Sequence, residues 1–222
     1  MRLSKYYCAA IAAFVIWGFF SLALKPLHAY ASLDILFYRV FLCVVLMLGI
    51  NLFFRKKALR ETREVFRNMT VKQRKQTLFL TLGGAVLLAS NWFFFIYVMN
   101  HISVKSAGFA YLVCPILTTL FARFILSEKL NRWQWTAVAL SVFSCILLGF
   151  NHFRDIFFSL VVAATYALYL VSQRKNTAID KFLLLTLQLS ATALILLPFY
   201  PFYSGEVPAE LSFYLYIAVI VV

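Results

Sequence analysis

Charge is scarce in this 222-residue chain: Asp, Glu, Lys and Arg together make up 13% of it, and only eight of those residues are acidic. A soluble domain averages about 25% charged and about 45–50% apolar residues, whereas 64% of this sequence is apolar and 18% aromatic. That balance excludes an ordinary water-soluble enzyme. Seven glycines and five prolines are too few for a loop-rich fold. The three histidines, His28, His101 and His152, fall in short breaks between apolar runs, with no carboxylate or cysteine at ligand spacing. No metal site and no cofactor is therefore expected. There is no glycine-rich phosphate loop, and no two carboxylates lie deep in an apolar run where they would act as acid and base. An intramembrane enzyme would need such groups. Transport is left as the leading class, with a non-transporting membrane scaffold or accessory subunit as its rival.

What the sequence does have is a series of long apolar runs. A bilayer-spanning helix takes about 20 mostly apolar residues, and runs of that kind occupy 6–24, 33–54, 77–99, 106–126, 133–150, 156–171 and 182–199. An eighth begins at Leu211 and is cut at Val222. Its twelve residues, at about 1.5 Å of rise each, cover about 18 Å of a hydrocarbon core about 30 Å thick. The expected fold is thus all-α: a polytopic transmembrane bundle of seven full spans plus a truncated eighth. A membrane barrel would need segments of alternating polarity, and these runs are apolar on every side. The first run is no cleavable signal, since it lacks a small-residue cleavage site and further spans follow. The four cysteines, Cys8, Cys43, Cys114 and Cys145, all fall within spans without ligand spacing, as small apolar fillers.

The net charge of +13 is a topology signal. Alternating spans place 17 of the 21 Lys and Arg residues on the side of the N-terminus and 3 on the other, and Arg39 lies within a span. Cytoplasmic loops keep the excess of cations, so the N-terminus is expected in the cytoplasm of a multi-pass inner-membrane protein. Nine of those cations lie in 55–76. A nucleic-acid role for that stretch is set aside in favour of a helical surface segment touching anionic lipid.

Ionisable and amide groups at membrane depth are costly and need a reason. Arg39 lies about six residues, or about 9 Å, inside its span; either it snorkels to the interface or its planar donor fork holds an anionic substrate group in an aqueous cavity. Asp34 reads as a first-turn residue at the outer interface. Asn91, beside Trp92, serves either helix packing or substrate recognition. Pro115 falls mid-span and bends its helix by removing the bond to the Tyr111 carbonyl, which makes Tyr111 and Pro115 candidates for the border of a central pathway. Trp17, Tyr38, Trp92, Tyr97, Tyr111, Tyr166 and Tyr169 are candidates for an aromatic cavity lining. The small residues Gly84, Ala85, Ala89 and Ser90, and the pairs Ala9/Ala13, Ser106/Ala110 and Ala163/Ala167, allow close helix approach.

Several stretches, in this order and spacing, resemble the EamA domain of the drug/metabolite transporter superfamily, in its RarD-type branch: Trp17-Gly18, LDILFYRV (33–40), SNWFFFIYVMN (90–100), GFAYLVCPIL (108–117) and LSEKLNRWQWTAVAL (126–140). The resemblance covers nearly all of 6–150. It implies ten spans built as two inverted five-helix repeats, with 1–150 as the first repeat and 151–222 as an incomplete second. It also implies export or exchange of small metabolites or drugs by alternating access. Trp17, Arg39, Asn91, Trp92, Tyr111 and Pro115 match recurring family positions. On that footing Arg39 is assigned as an anion clamp, Asn91 as a hydrogen-bonding selector, Trp17 and Trp92 as stacking walls, Tyr111 as a wall residue and Pro115 as a gating hinge. Ser106 and Gln188 depart from the branch, standing where relatives often carry an acid. The expected partners are the lipid bilayer and a small molecule bearing a carboxylate or an aromatic ring; a homodimer is left open.

Overall fold

A computed structural model describes residues 5–149, 153–200 and 208–221. Its helices are α1 (Lys5–Leu24), α2 (Ser32–Phe54), α3 (Lys56–Asn68), α4 (Val71–His101), α5 (Val104–Leu126), α6 (Arg132–Gly149), α7 (Phe153–Lys175), α8 (Lys181–Leu196) and α9 (Leu211–Val221), with short 3₁₀ turns at Lys25–Ala29 and Leu197–Phe199. There is no strand among the described residues. Five segments among the described residues are long and apolar enough to cross a membrane: α2, α4, α5, α7, and α8 together with the 3₁₀ turn that follows it, Lys181–Phe199.

Several of the helices begin where the sequence supplies a partner for the first N–H groups, which have no acceptor inside the helix. Thr70 and Gln73 form a reciprocal capping box ahead of α4, and Asn131 and Gln134 exchange the same pair of bonds ahead of α6. Ser103 Oγ accepts from the Ser106 N–H at the head of α5. This cap chemistry explains the one clear difference from the hydropathy reading of the third span. The helix starts at Val71 because Thr70 can cap there, six residues before the apolar run begins. At its other end α5 stops on Ser127, whose φ of 57° is the left-handed conformation that terminates helices.

Small residues decide which helices meet. Ser106, Ala110, Ala163 and Ala167 are all buried, and they let α7 lie along α5 while its other side packs on α4. α8 packs against both α2 and α4. The resulting core joins Ile35, Leu36, Val40, Ile96, Val98, Ala107, Ala110 and Ala167. Large apolar side chains such as Phe53, Phe54, Phe79 and Leu112 point outward, as they do when the surrounding solvent is lipid. Trp133 and Trp135, which follow a cationic loop and suit interface anchors, are both exposed.

The two ends of the bundle are chemically different. At one end Arg55 meets Asp180 at 3.2 Å, Arg174 meets Glu128 at 2.9 Å, and the Lys181 ammonium donates to the Gln173 and Asn176 carbonyls. At the other, His28 bonds the Met99 carbonyl, Asn100 reaches Ser32, Ser106 donates to Asp155, and Tyr30 donates to Glu210. The loops that follow α2, α5 and α7 thus share one end of the bundle, and those that follow α1 and α4 the other.

Asp180 allows a comparison of magnitudes. Its carboxylate accepts from the Phe182 and Leu183 N–H groups as well as from Arg55. The ion pair is about one-third exposed on each side and contributes little beyond about 0–1 kcal/mol, whereas an N-cap is worth about 1 kcal/mol. Asp180→Asn, which keeps the cap, is expected to leave the thermal midpoint almost unchanged, and Asp180→Ala to lower stability by about 1 kcal/mol. Equal losses in the two variants would reverse the ranking of cap and ion pair.

Candidate functional site

The site grows from one buried cation. Arg39 lies two turns into α2 and is 6% exposed. Its guanidinium carbon sits 3.9 Å from the centroid of the Trp92 ring on α4, so the side chain turns into the bundle and stacks on an indole instead of reaching the interface. Cation–π contact of this kind is worth about 2 kcal/mol or more once the pair is desolvated. Tyr111 on α5 and Cys43 one turn further along α2 lie within electrostatic range of it.

Around that pair runs a continuous chain of rings. Phe95 meets Tyr111 edge-on at 5.2 Å between centroids, Tyr111 meets Tyr166 at 5.9 Å, and Tyr166 stacks on Tyr169 at 6.0 Å. From Tyr169 the chain turns polar. Gln173 Nε2 donates to the Tyr169 hydroxyl at 2.7 Å and to Gln188 Oε1 on α8. Gln188 is 1% exposed. Its amide nitrogen rests over Gly84, where an added Cβ would lie 2.1 Å from Nε2; any side chain there would have to displace the Gln188 amide.

Asn91 lies at the next level. It is completely buried, and its Nδ2 donates to the Val162 carbonyl of α7 at 2.9 Å, with Thr165 Oγ1 at 3.5 Å. Its Oδ1 accepts no hydrogen bond among the described residues. The side chain thus ties α4 to α7 through one end and leaves an acceptor at the other. Further pins cross the same region: Thr192 donates to the Ala85 carbonyl, Asn51 to Thr186 Oγ1 at 2.7 Å, and Asn176 to Thr81 Oγ1.

Of the sequence-derived site residues, the fold brings Arg39, Trp92 and Tyr111 together and sets Asn91 immediately before Trp92 on α4. Pro115 lies on α5 one turn beyond Tyr111 and is exposed among the described residues, and α5 runs through it without interruption. Thr118 and Thr119 donate to the Cys114 and Pro115 carbonyls, each four residues earlier. Trp17 lies on α1, with its side chain outside the described set. The aromatic lining expected from the sequence divides into separate groups. Trp92, Tyr111, Tyr166 and Tyr169 belong to the centre. Tyr38 turns away to Tyr200, Phe213 and Tyr214, and Tyr97 to His101 and Phe158. Helix rotation divides them, because Tyr38 is one position from Arg39 and Tyr97 five positions from Trp92, and residues so spaced on one helix face different neighbours. Cys43 and Cys114 are buried as expected, Cys8 is exposed on α1, Cys145 lies on α6 with its side chain outside the described set, and His152 lies outside the described residues. Gln173 was not anticipated; only its spacing of four from Tyr169 pointed to it.

Ser106 and Asp155 meet on the other side of α5. Ser106 Oγ donates to Asp155 Oδ2 at 3.0 Å and Ser159 Oγ to the Ser106 carbonyl at 2.8 Å, beside a cavity of about 450 Å³ that Lys105, Phe109 and Leu112 also line. An acid is thus present near Ser106 in space although not at its position in sequence.

Residues 4–150 match the EamA-like transporter family. The chain belongs to that family. It is 31% identical over 178 residues to the uncharacterized transporter YojE of Bacillus subtilis, an alignment covering 79% of this chain and 57% of YojE. It is 26% identical over 166 residues to the protein RarD of Escherichia coli K12, covering 75% of this chain and 53% of RarD, and 26% identical over 175 residues to the uncharacterized transporter PA0485 of Pseudomonas aeruginosa, covering 78% and 56%. The chain spans about half the length of the curated relatives it matches. No solved structure matches it at a significant level. As an EamA-family, RarD-type chain it is a multi-pass membrane protein of a transporter family.

Proposed function

We propose that the protein to which this chain belongs exports or exchanges small metabolites or drugs across the inner membrane by alternating access, with its N-terminus in the cytoplasm. In this reading it is a transporter, not an enzyme, and 1–150 is the first of two inverted five-helix repeats of a ten-span protein, the second incomplete in 151–222. The substrate carries a carboxylate, an aromatic ring or both.

One observation carries the reading: the Arg39 guanidinium is buried at membrane depth and stacked on Trp92. An arginine placed there solely for stability would be a poor choice, since burying a charge costs several kcal/mol, and leucine would pack at no such cost. A planar cation against an aromatic face, flanked by Tyr111 and the Tyr166–Tyr169 pair, suits a ligand that is anionic at one end and flat at the other. The Asn91 acceptor would take a donor from the same ligand. Trp17 would close the wall from α1, and Pro115 would let one half of α5 swing against the other during gating.

The test is flux in proteoliposomes containing the full-length protein. Saturable uptake of aromatic carboxylates is expected, with competition among them. Folded protein that moves no amphipathic metabolite would favour the scaffold reading instead. Orientation has its own test: a thiol label placed in 55–76 is expected to be unreactive towards an impermeant reagent in intact cells and reactive in inverted vesicles. Labelling from outside would reverse the proposed topology.

A further inference from the structure

We propose that α3 is a lipid-binding strap that lies flat on the bilayer at the cation-rich end of the bundle and holds anionic phospholipid headgroups with Arg60, Arg63 and Arg67. The inference is independent of the substrate and rests only on the chain being embedded in a membrane.

The argument begins with how the residues fall around the helix. At about 100° per residue, Ala58, Leu59, Thr62, Val65 and Phe66 occupy one arc of about 120°. Lys56, Arg60, Arg63 and Arg67 occupy a second arc of about 60° on one flank, and Lys57, Glu61, Glu64 and Asn68 fall on the opposite flank, each flank beginning about 40° from the apolar arc. Both acids are therefore kept off the basic row. A water-exposed linker would have no reason to sort its charges this way. On an in-plane helix this places the apolar groups in the acyl boundary and the basic flank at phosphate level.

The tertiary structure holds that register. α3 follows the span α2 after the single residue Arg55 and leads into α4 through Met69 and Thr70. Arg74 of α4 reaches back to the last turn of α3, where its Nε donates to the Phe66 carbonyl at 3.0 Å and a terminal nitrogen donates to the Arg67 carbonyl. Its guanidinium also faces the Phe66 ring at 5.8 Å. Tied at both ends, α3 cannot turn its apolar arc away. The protein leaves that arc partly open: no residue of α3 is buried, Ala58, Thr62 and Phe66 are half-buried, and Leu59 and Val65 are 38% and 46% exposed. The neighbouring helix ends show where the lipid begins, with Phe53, Phe54 and Phe79 all more than three-quarters exposed.

Charge complementarity names the occupant. Arg60, Arg63 and Arg67 line a groove of about 280 Å³ with Glu64, and none of the three arginines forms an ion pair among the described residues. The acid that pairs within the helix, Glu61 with Lys57 at 3.9 Å, lies on the flank opposite the arginines. Three guanidinium forks in successive turns, each able to take two phosphate oxygens, match a row of headgroups where the apolar arc meets the acyl chains.

The test uses the whole chain in nanodiscs. With the native cysteines replaced by serine, an environment-sensitive thiol probe is placed at Leu59→Cys or, as a control, at Glu61→Cys. In discs containing phosphatidylglycerol the probe at 59 is expected to be blue-shifted and shielded from an aqueous quencher, and the probe at 61 is expected to stay wet. Shielding at 59 should be lost in phosphatidylcholine discs, at high salt, and in the Arg60→Gln, Arg63→Gln, Arg67→Gln triple variant. The salt arm needs no substitution in the arginine row, so it holds even if the triple variant expresses poorly. Equal shielding of position 59 in the two lipids, or shielding that survives both salt and the triple variant, would overturn the proposal. So would co-purification of the chain with nucleic acid held by the same three arginines and indifferent to lipid composition.

Discussion

Arg39→Ala is expected to reduce flux of a carboxylate-bearing substrate by about 10- to 150-fold, with expression and membrane insertion intact. The range follows from the about 1.5–3 kcal/mol that a hydrogen bond to a charged group contributes, converted at about 1.4 kcal/mol per tenfold. A clamp on the carboxylate makes a second, sharper forecast. A neutral analogue, such as the corresponding amide, should lose far less than the acid does. Arg39→Lys should fall between the two, because lysine keeps the charge but offers neither the planar fork nor the stacking face that lies on Trp92. Measurement of initial rates for acid and amide in the three proteins decides the matter. Unchanged acid flux in Arg39→Ala would remove the clamp from the mechanism. An equal loss for acid and amide would make Arg39 a packing element of the α2–α4 contact.

The second large effect concerns Gly84, where the sign of the outcome is informative. Alanine is better than glycine inside a helix by about 1 kcal/mol, so Gly84→Ala would stabilise α4 if the space were free. It is not: the new Cβ would lie 2.1 Å from the Gln188 amide nitrogen and 3.1 Å from its Cδ. Gln188 is buried and held by Gln173, so the amide cannot simply swing aside. Overpacking costs about 1–3 kcal/mol, and the net expectation is a loss of up to about 2 kcal/mol. For a chain of this size that lowers the thermal midpoint in detergent by about 2–4 °C per kcal/mol. In a Gln188→Ala background the same substitution is expected to become stabilising, by about 1 kcal/mol. This reversal, read as a double-mutant cycle, isolates the contact. Additive effects of the two changes would show that Gly84 and Gln188 do not constrain each other.

Much of the architecture was legible in one dimension. The helix ranges at 33–54, 106–126, 133–150 and 182–199 fall within a few residues of α2, α5, α6 and α8, because a span is defined by a property of about 20 consecutive residues. Ser103 and Asp180 cap α5 and α8 just ahead of the apolar runs, a short-range signal that hydropathy does not register. α4 was misjudged at its start because hydropathy does not register the Thr70–Gln73 box. The small residues at 106, 110, 163 and 167 marked an interface without revealing that α5 and α7 were the pair.

The sequence by itself decided that this chain is helical, that it lives in a bilayer, which loops share a side and which polar groups need an explanation at depth. Only the tertiary structure decided what those groups touch: Arg39 meets an indole, Asn91 meets the backbone of a helix 71 residues away, and Gln188 lies on a glycine. The reason is physical. Burial in lipid depends on composition summed along a segment, whereas a hydrogen bond between helices depends on the rotation and crossing of two segments at once, and no single stretch of sequence carries both.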